Sequence, residues 1–389
     1  DDGTSGAELW KSDGTAMGTV LVKDIRTGST GSSLASLTDV DGTLFFTAKD
    51  GVTGGELWKS DGTVDGTVLV KDIWSSDIVG NFPPTDLVNV NGTLFFAAVE
   101  PVNGQELWKS DGTEQGTVLV KDIRGGNQNS SPDELVNVNG TLFFKATDGV
   151  KGFELWKSDG TVDGTVMVKD IIDGAGSSSP SNLTTVNGTL FFNATDGVNG
   201  VELWKSDGTV DGTVLVKNIR AGSGSSSPAN MVNVNGTLFF TDDDGTNGVE
   251  LWKSDGTVDG TVLVKDIQSG GVDSAPGNLI GANGKLYFTA DDGVNGVELW
   301  KSDGTEMGTV LTGDITGDAN SATPSSLTVS GGSLFFAASR EDVQRELFGL
   351  ALAPESPDPI HSLQAYLKAS NTGTQDIFGH SVAISGNTA

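Results

Sequence analysis

Acidic side chains are the most numerous groups in this sequence that could do chemistry: 52 Asp and Glu stand against 23 Lys and Arg and two His, for a net charge of −29. Most of them recur at fixed places. A Ser-Asp-Gly-Thr segment is written seven times, with its aspartates at Asp13, Asp61, Asp111, Asp159, Asp207, Asp255 and Asp303. One carboxylate per turn is too few for calcium, which takes about six or more oxygens, and the Asp-x-Asp-x-Asp-Gly spacing is absent. An Asp before Gly is a standard turn residue whose carboxylate bonds nearby backbone N–H groups, so a structural role is expected. The run Asp242, Asp243 and Asp244 is the best candidate for calcium, the one ion for which the sequence leaves room. No other cofactor is expected.

Glu202, Lys205 and Lys217 have counterparts in nearly every copy. Glycoside hydrolysis needs two carboxylates about 5–10 Å apart with different proton affinities, and near-identical acids in every copy suit a structural ion-pair lattice better. His361 and His380 both lie in the tail, so no Ser-His-Asp arrangement can be built in the repeats. The absence of cysteine excludes disulfides, thiolate metal sites and cysteine nucleophiles. So acidic a chain repels nucleic acid and anionic membrane. No apolar run approaches the roughly 18 residues of a membrane span. The sequence opens inside a repeat, at Asp1, so an export signal would lie upstream.

The elements that must hold these residues repeat with a fixed period. The phrase Glu-Leu-Trp-Lys-Ser-Asp-Gly-Thr places tryptophans at Trp10, Trp58, Trp108, Trp156, Trp204, Trp252 and Trp300, in steps of 48, 50, 48, 48, 48 and 48 residues. A degenerate eighth copy begins at Glu346. Such a period marks repeat architecture, in which each unit buries its apolar faces on its neighbours. The copy from Asn182 to Ile219 reads as four antiparallel strands: 182–186, 189–194, 201–205 and 212–219. Asn187-Gly188 joins the first two as a type I′ turn. Leu-Phe-Phe and Val-Leu-Val strands are apolar on both faces and must be covered on both. Four-stranded sheets stacked face to face meet that demand, so an all-β, seven-bladed β-propeller is expected, with eight blades as the alternative. An open β-solenoid wants shorter rungs and no hairpins. The tryptophans then belong to packing between sheets rather than to sugar platforms.

The strand order resembles the WD-repeat propeller unit, which implies that the first strand of each unit is innermost. A nearer resemblance, carried by Glu8–Thr15 and six later copies of the phrase, is to the bacterial ELWxxDGT-repeat family found in large exported proteins. It implies a repeat fold and an extracellular or cell-surface location. Seven Leu-Phe-Phe-type strands and seven Val-Leu-Val-type strands are present. Because the chain begins with strands three and four and ends with strands one and two, its termini are expected to combine in one closing blade. Residues 1–352 form the propeller, 353–361 a proline-rich linker and 362–389 a further segment. That segment, with Asp376 to Gly386, resembles the opening of an FG-GAP repeat, also found in integrin α-chains; the family's calcium loop is not present in it. One such unit cannot bury its own faces, so it is expected to be disordered or to pair with another chain's sheet edge.

Strands repeat almost verbatim while two loop classes vary: the fourth-to-first connections and the second-to-third turns. Both emerge at the same end of an antiparallel sheet, and loops on a rigid scaffold carry function. Trp74 stands where other copies have Arg26, Arg124 or Arg220, in a connection that also holds Phe82. Trp74, Phe82, Arg124 and Arg220 are therefore the ligand-binding candidates. The expected function is non-enzymatic: an exported binding or scaffold module of a large bacterial surface protein, serving adhesion or surface assembly with other surface proteins or glycans as partners. A carbohydrate-binding lectin is the alternative; a glycosidase or lyase is a third reading.

Overall fold

The computed structural model describes residues 1–74, 82–317, 319–340, 343–352 and 365–367. All secondary structure in it is β. The strands form eight sheets: a two-stranded one (Leu9–Lys11 and Val20–Lys23) and seven four-stranded ones. Numbered in chain order from the two-stranded one, sheets two to eight run from 35–71, 85–121, 133–169, 181–217, 229–265, 277–313 and 325–367. Each four-stranded sheet is an antiparallel meander of sequential neighbours, as the strand reading expects. The chain divides into two compact units, Asp1–Leu190 with Ser206–Thr213, and Phe191–Lys205 with Val214–Ala389.

Sequence dictates each sheet locally. The Asn-Gly turn takes the type I′ form, with positive φ at both Asn187 (49°) and Gly188 (79°), and the other copies do the same. The expected fourth strand, 212–219, shortens to Val214–Lys217, because the residues before it belong to the Ser-Asp-Gly-Thr turn. Phenylalanine and leucine cover both faces of the second strand. In the first unit, Phe45, Leu57, Val70 and Ile73 of sheet two pack on Leu94, Phe96, Ala98 and Trp108 of sheet three. The same arrangement joins sheets three and four around Phe95 and Trp156. In the second unit it joins sheets six and seven around Phe239 and Trp300. The first strands of successive sheets lie side by side within each unit, consistent with an innermost position.

Trp108, Trp156 and Trp300 each pack on the sheet before their own. Six of the seven repeated tryptophans are buried, and Trp10 is 36% exposed. It departs from expectation because it sits in the first sheet of its unit, with no preceding sheet in that unit to receive the ring. Truncation tests the packing: Trp108→Ala is expected to lower unfolding free energy by about 3–5 kcal/mol, and Trp10→Ala by less than half as much, measured by denaturant unfolding.

The expected closing blade is not formed. Ser325–Ser330 and Ser333–Arg340 complete their sheet with Val343–Ala351 and Ala365–Leu367, pairing Phe336 with Phe348, while among the described residues the first two strands pair with each other alone. Eight sheets result rather than seven. The physical reason is that Leu347, Phe348 and Leu350 supply a third strand apolar enough to cover its neighbours, with Phe336 and Phe348 stacked at 5.7 Å. Of the tail, the described residues Ala365–Leu367 pair with Val343–Ala351. The rest of the linker and of the FG-GAP-like segment, including His361 and His380, lies outside the described residues.

Candidate binding edge

The seven sheets that carry the full Glu-Leu-Trp-Lys-Ser-Asp-Gly-Thr phrase have two ends of opposite character. At one end sit the Ser-Asp-Gly-Thr turns, whose polar groups satisfy one another. Asp111 Oδ1 accepts from Thr113 N (2.8 Å) and Thr113 Oγ1 (2.7 Å). Gly116 N donates to Thr113 Oγ1, and Gly112 N to Ser110 Oγ. The carboxylate lies so close to Gly116 that a Cβ there would meet Asp111 Oδ1 at 2.0 Å, which explains the second glycine of the Ser-Asp-Gly-Thr-x-x-Gly phrase. The threonine hydroxyl and amide hold Asp111, and likewise Asp61, Asp159 and Asp207, below the usual carboxylate range. These are turn caps, as expected.

The other end carries the variable connections, and a buried glutamate anchors each of them. Glu106 lies at the start of the Glu-Leu-Trp strand, fully enclosed. Its two oxygens accept from Ile123 N (2.9 Å), Arg124 N (3.4 Å), Ser130 N (3.0 Å) and Ser130 Oγ (2.6 Å). The glutamate thus grips both ends of the connection 124–130. Glu154, Glu202 and Glu250 do the same for the connections that follow them. Burial pushes Glu56, Glu106 and Glu298 up to about 7, with the amide hydrogen bonds opposing the rise.

These contacts correct the expected ion-pair lattice. The repeated glutamates bond to backbone amides and serine, and the repeated lysines donate to carbonyls of the next sheet, as Lys109 does to Gly160 O (2.8 Å) and Lys121 to Thr165 O (2.7 Å). Among the described residues the ion pairs are Lys145–Asp133, Lys151–Asp170 and Arg220–Asp243, none between repeated Glu and Lys. A buried strand end leaves orphan amides, and a carboxylate that caps them is more useful there than one paired with lysine.

The candidates named from the sequence all lie at this connection edge. Trp74 is half-buried and Phe82 is 50% exposed, their rings 5.3 Å apart and tilted by 57°. Arg124 lies over the turn at Gly149 in the next sheet and donates to Asn129 O (3.2 Å). Arg220 lies likewise over Gly245 and pairs with Asp243 Oδ2 at 2.6 Å. Both arginines brace a connection against the neighbouring turn. The three consecutive aspartates do not converge. Asp243 goes to Arg220, Asp244 caps its own turn through Thr246 N and Asn247 N, and Asp242 is buried beside Glu202 and Ser226. Among the described residues no group of three or more His, Cys, Asp or Glu is placed to hold a metal ion. Calcium at 5 mM is accordingly expected to shift the thermal midpoint by less than about 1 °C relative to EDTA, followed by circular dichroism; a larger rise abolished by Asp244→Asn contradicts this.

Sequence reasoning passed over one group at the same edge. Asp86, Gln105, Asp133, Lys145 and Phe153 line a cleft of 280 Å³ between sheets three and four. Lys145 was the legible signal, since the corresponding position holds Thr47, Ala97, Asn193, Thr241, Thr289 or Ala337 in the other copies.

No protein-family model matches the sequence, and no curated protein matches it. Solved structures do resemble it. Apo prolyl oligopeptidase B from Galerina marginata matches with a TM-score of 0.50 and 10% identity, over 84% of this chain and 50% of that one. A puromycin hydrolase matches at TM-score 0.45 and 14% identity, over 91% and 57%. The β-propeller domain of the Trilobed protease from Pyrococcus furiosus matches at 0.41 and 12%, over 82% and 95%. The chain spans about half the length of the full peptidases it matches. The likeness concerns fold alone: the chain is a β-propeller protein of repeated four-stranded sheets.

Proposed function

We propose that this chain is a non-enzymatic binding propeller of a bacterial surface protein, which engages surface proteins or glycans through its connection edge in adhesion or surface assembly. One observation carries the reading: residues that distinguish the copies gather at the edge where buried glutamates pin each connection, while the opposite edge repeats self-satisfied turns. Pinned loops of varied sequence on a rigid scaffold form a preorganised binding surface. The Trp74–Phe82 pair favours a second reading, a lectin, because two adjacent rings, one half-buried and one exposed, suit a sugar face.

The connections 124–130, 220–226 and 268–274 are equal in length, so they can be exchanged without moving their glutamate anchors. A chimera carrying the 220–226 sequence at both other places, and a Trp74→Ala variant, are to be compared with the parent on a glycan array and a panel of bacterial surface polypeptides. The reading expects a ligand that the parent binds and the chimera loses at unchanged Tm. A ligand lost only in Trp74→Ala and found only on the glycan array selects the lectin. Equal binding by all three proteins overturns both.

A further inference from the structure

Several departures from the repeat converge on one place. Asp86, Gln105, Asp133, Lys145 and Phe153 are each the only residue of their type at their repeat position, and the fold brings all five to one cleft of 280 Å³. Lys145 Nζ lies 2.7 Å from Asp133 Oδ2, and Glu134 N donates to Asp133 Oδ1 at 2.9 Å, so Asp133 is committed on both oxygens. Asp86 is half-buried in the same cleft. Its desolvation raises its proton affinity, a hydrogen bond from the Thr85 side chain opposes the rise, Asp133 adds to it and Lys145 opposes it. Two carboxylates against one ammonium leave the cleft with one negative charge in excess when all are ionised, and Phe153 and Pro132 form an apolar wall.

We infer that this cleft receives a single alkylammonium or guanidinium group, the side chain of a lysine or arginine on a partner polypeptide. The inference rests on reading the connection edge as a binding surface. The volume is at the small end for ligand sites, so it admits a side chain rather than an oligosaccharide. A cation beside Asp86 offsets the cost of keeping that carboxylate ionised and partly desolvated. An anion in the same place would meet Asp86 directly. The stem of lysine or arginine suits an apolar wall, and an aromatic ring tolerates the charged head. Lys145 holds Asp133 and so limits the cleft to one incoming charge.

The probe is the capped tripeptide acetyl-Gly-Lys-Gly-amide, titrated into the whole chain at physiological salt and followed by the backbone amide resonances of Gln105 and Glu134. Peptides with norleucine or glutamate in place of lysine are the controls. Asp86→Asn is the informative variant, because Asn182, Asn230 and Asn278 occupy the same left-handed position (φ 56° at Asp86) in other copies and the fold is retained. Asp163→Asn, exposed on the opposite edge, controls for the general acidity of the chain. Saturable shifts at the cleft with the lysine peptide alone, weakened at least tenfold by Asp86→Asn and unchanged by Asp163→Asn, are expected. Shifts spread evenly over the acidic turns, equal affinity in Asp86→Asn, absence of saturation, or equal binding of norleucine overturns the inference. A partner that the connection chimera loses but Asp86→Asn still binds would sink the cation pocket and leave the binding-edge reading standing.

Discussion

Glu106→Ala is expected to lower the unfolding free energy by about 2–4 kcal/mol, because it takes the acceptor from the buried Ile123 amide and one of two acceptors from Ser130 N and Ser130 Oγ. Ile123 N, Ser130 N and Ser130 Oγ donate to Glu106 at 2.6–3.0 Å in an enclosed seam, and the two Ser130 donors also reach Gln105 O, at 3.0 and 3.3 Å. The stranded Ile123 amide costs about 1–3 kcal/mol, and the weakened Ser130 contacts and the vacated carboxylate add to it. The damage should centre on the connection 124–130, whose two ends Glu106 holds. Hydrogen exchange there should accelerate before the rest of sheet three responds. Glu114→Ala is the matched control: it is exposed in the Ser-Asp-Gly-Thr turn of the same sheet, where other copies have Val64 or Val162. It should change stability by less than about 0.5 kcal/mol. Denaturant unfolding of both variants decides the matter. Equal, small effects would mean that water replaces the glutamate and that the connections are not pinned by it.

The contrast between Glu106 and Glu114 shows what the sequence made legible. Period, strand order and turn type could be read directly, because Asn-Gly demands positive φ and Leu-Phe-Phe demands cover on both faces. The burial of the repeated tryptophans followed from the same logic and missed only Trp10, whose exposure depends on a missing neighbour rather than on its own surroundings. The closing strand was misread because Phe348 is a weak copy of the Trp phrase, yet pairing and stacking on Phe336 need only an apolar strand of the right length. The role of the glutamates was not legible. Sequence shows that an acid recurs next to Leu-Trp; it does not show that the amides 17 and 24 residues later fold back over it. The cleft was hidden for the opposite reason. Its five residues lie 86 to 153 along the chain, on separate strands and turns, and only superposing the copies reveals that each is singular.

The same buried acids give the protein an unusual response to pH: its thermal midpoint should rise as pH falls from about 8.5 to 5.5. The sign follows from linkage. A carboxyl whose proton affinity is raised by folding binds its proton more tightly in the folded state, so ionising it costs stability. That cost is absent below the unfolded value, near 4.5 for Glu, grows between there and the folded value, and is complete above it. Glu56, Glu106 and Glu298 are pushed up to about 7 by burial, so their window is about 4.5 to 7. Asp242, buried where six other copies carry Ala, is pushed up to about 8 by desolvation, with Glu202 and Asp243 adding to the rise. One unit is worth about 1.4 kcal/mol, so each glutamate releases up to about 3 kcal/mol on acidification, and serine hydroxyls such as Ser130 Oγ can turn from donor to acceptor to meet the new proton. A rise of about 5 °C or more is expected. Below about pH 4 the trend reverses, because Asp61, Asp111, Asp159 and Asp207 are held below their ordinary value by threonine and lose those bonds when protonated. Asp242→Ala separates buried acids from the relief of general charge repulsion. It removes one charge of 29 yet should flatten the slope between pH 6 and 8 and raise the midpoint at pH 8. Scanning calorimetry across pH on both proteins tests this, and a midpoint that falls steadily from pH 8.5 to 5.5, or an Asp242→Ala profile parallel to the parent's, would show that these carboxyls are ionised in the fold at little cost.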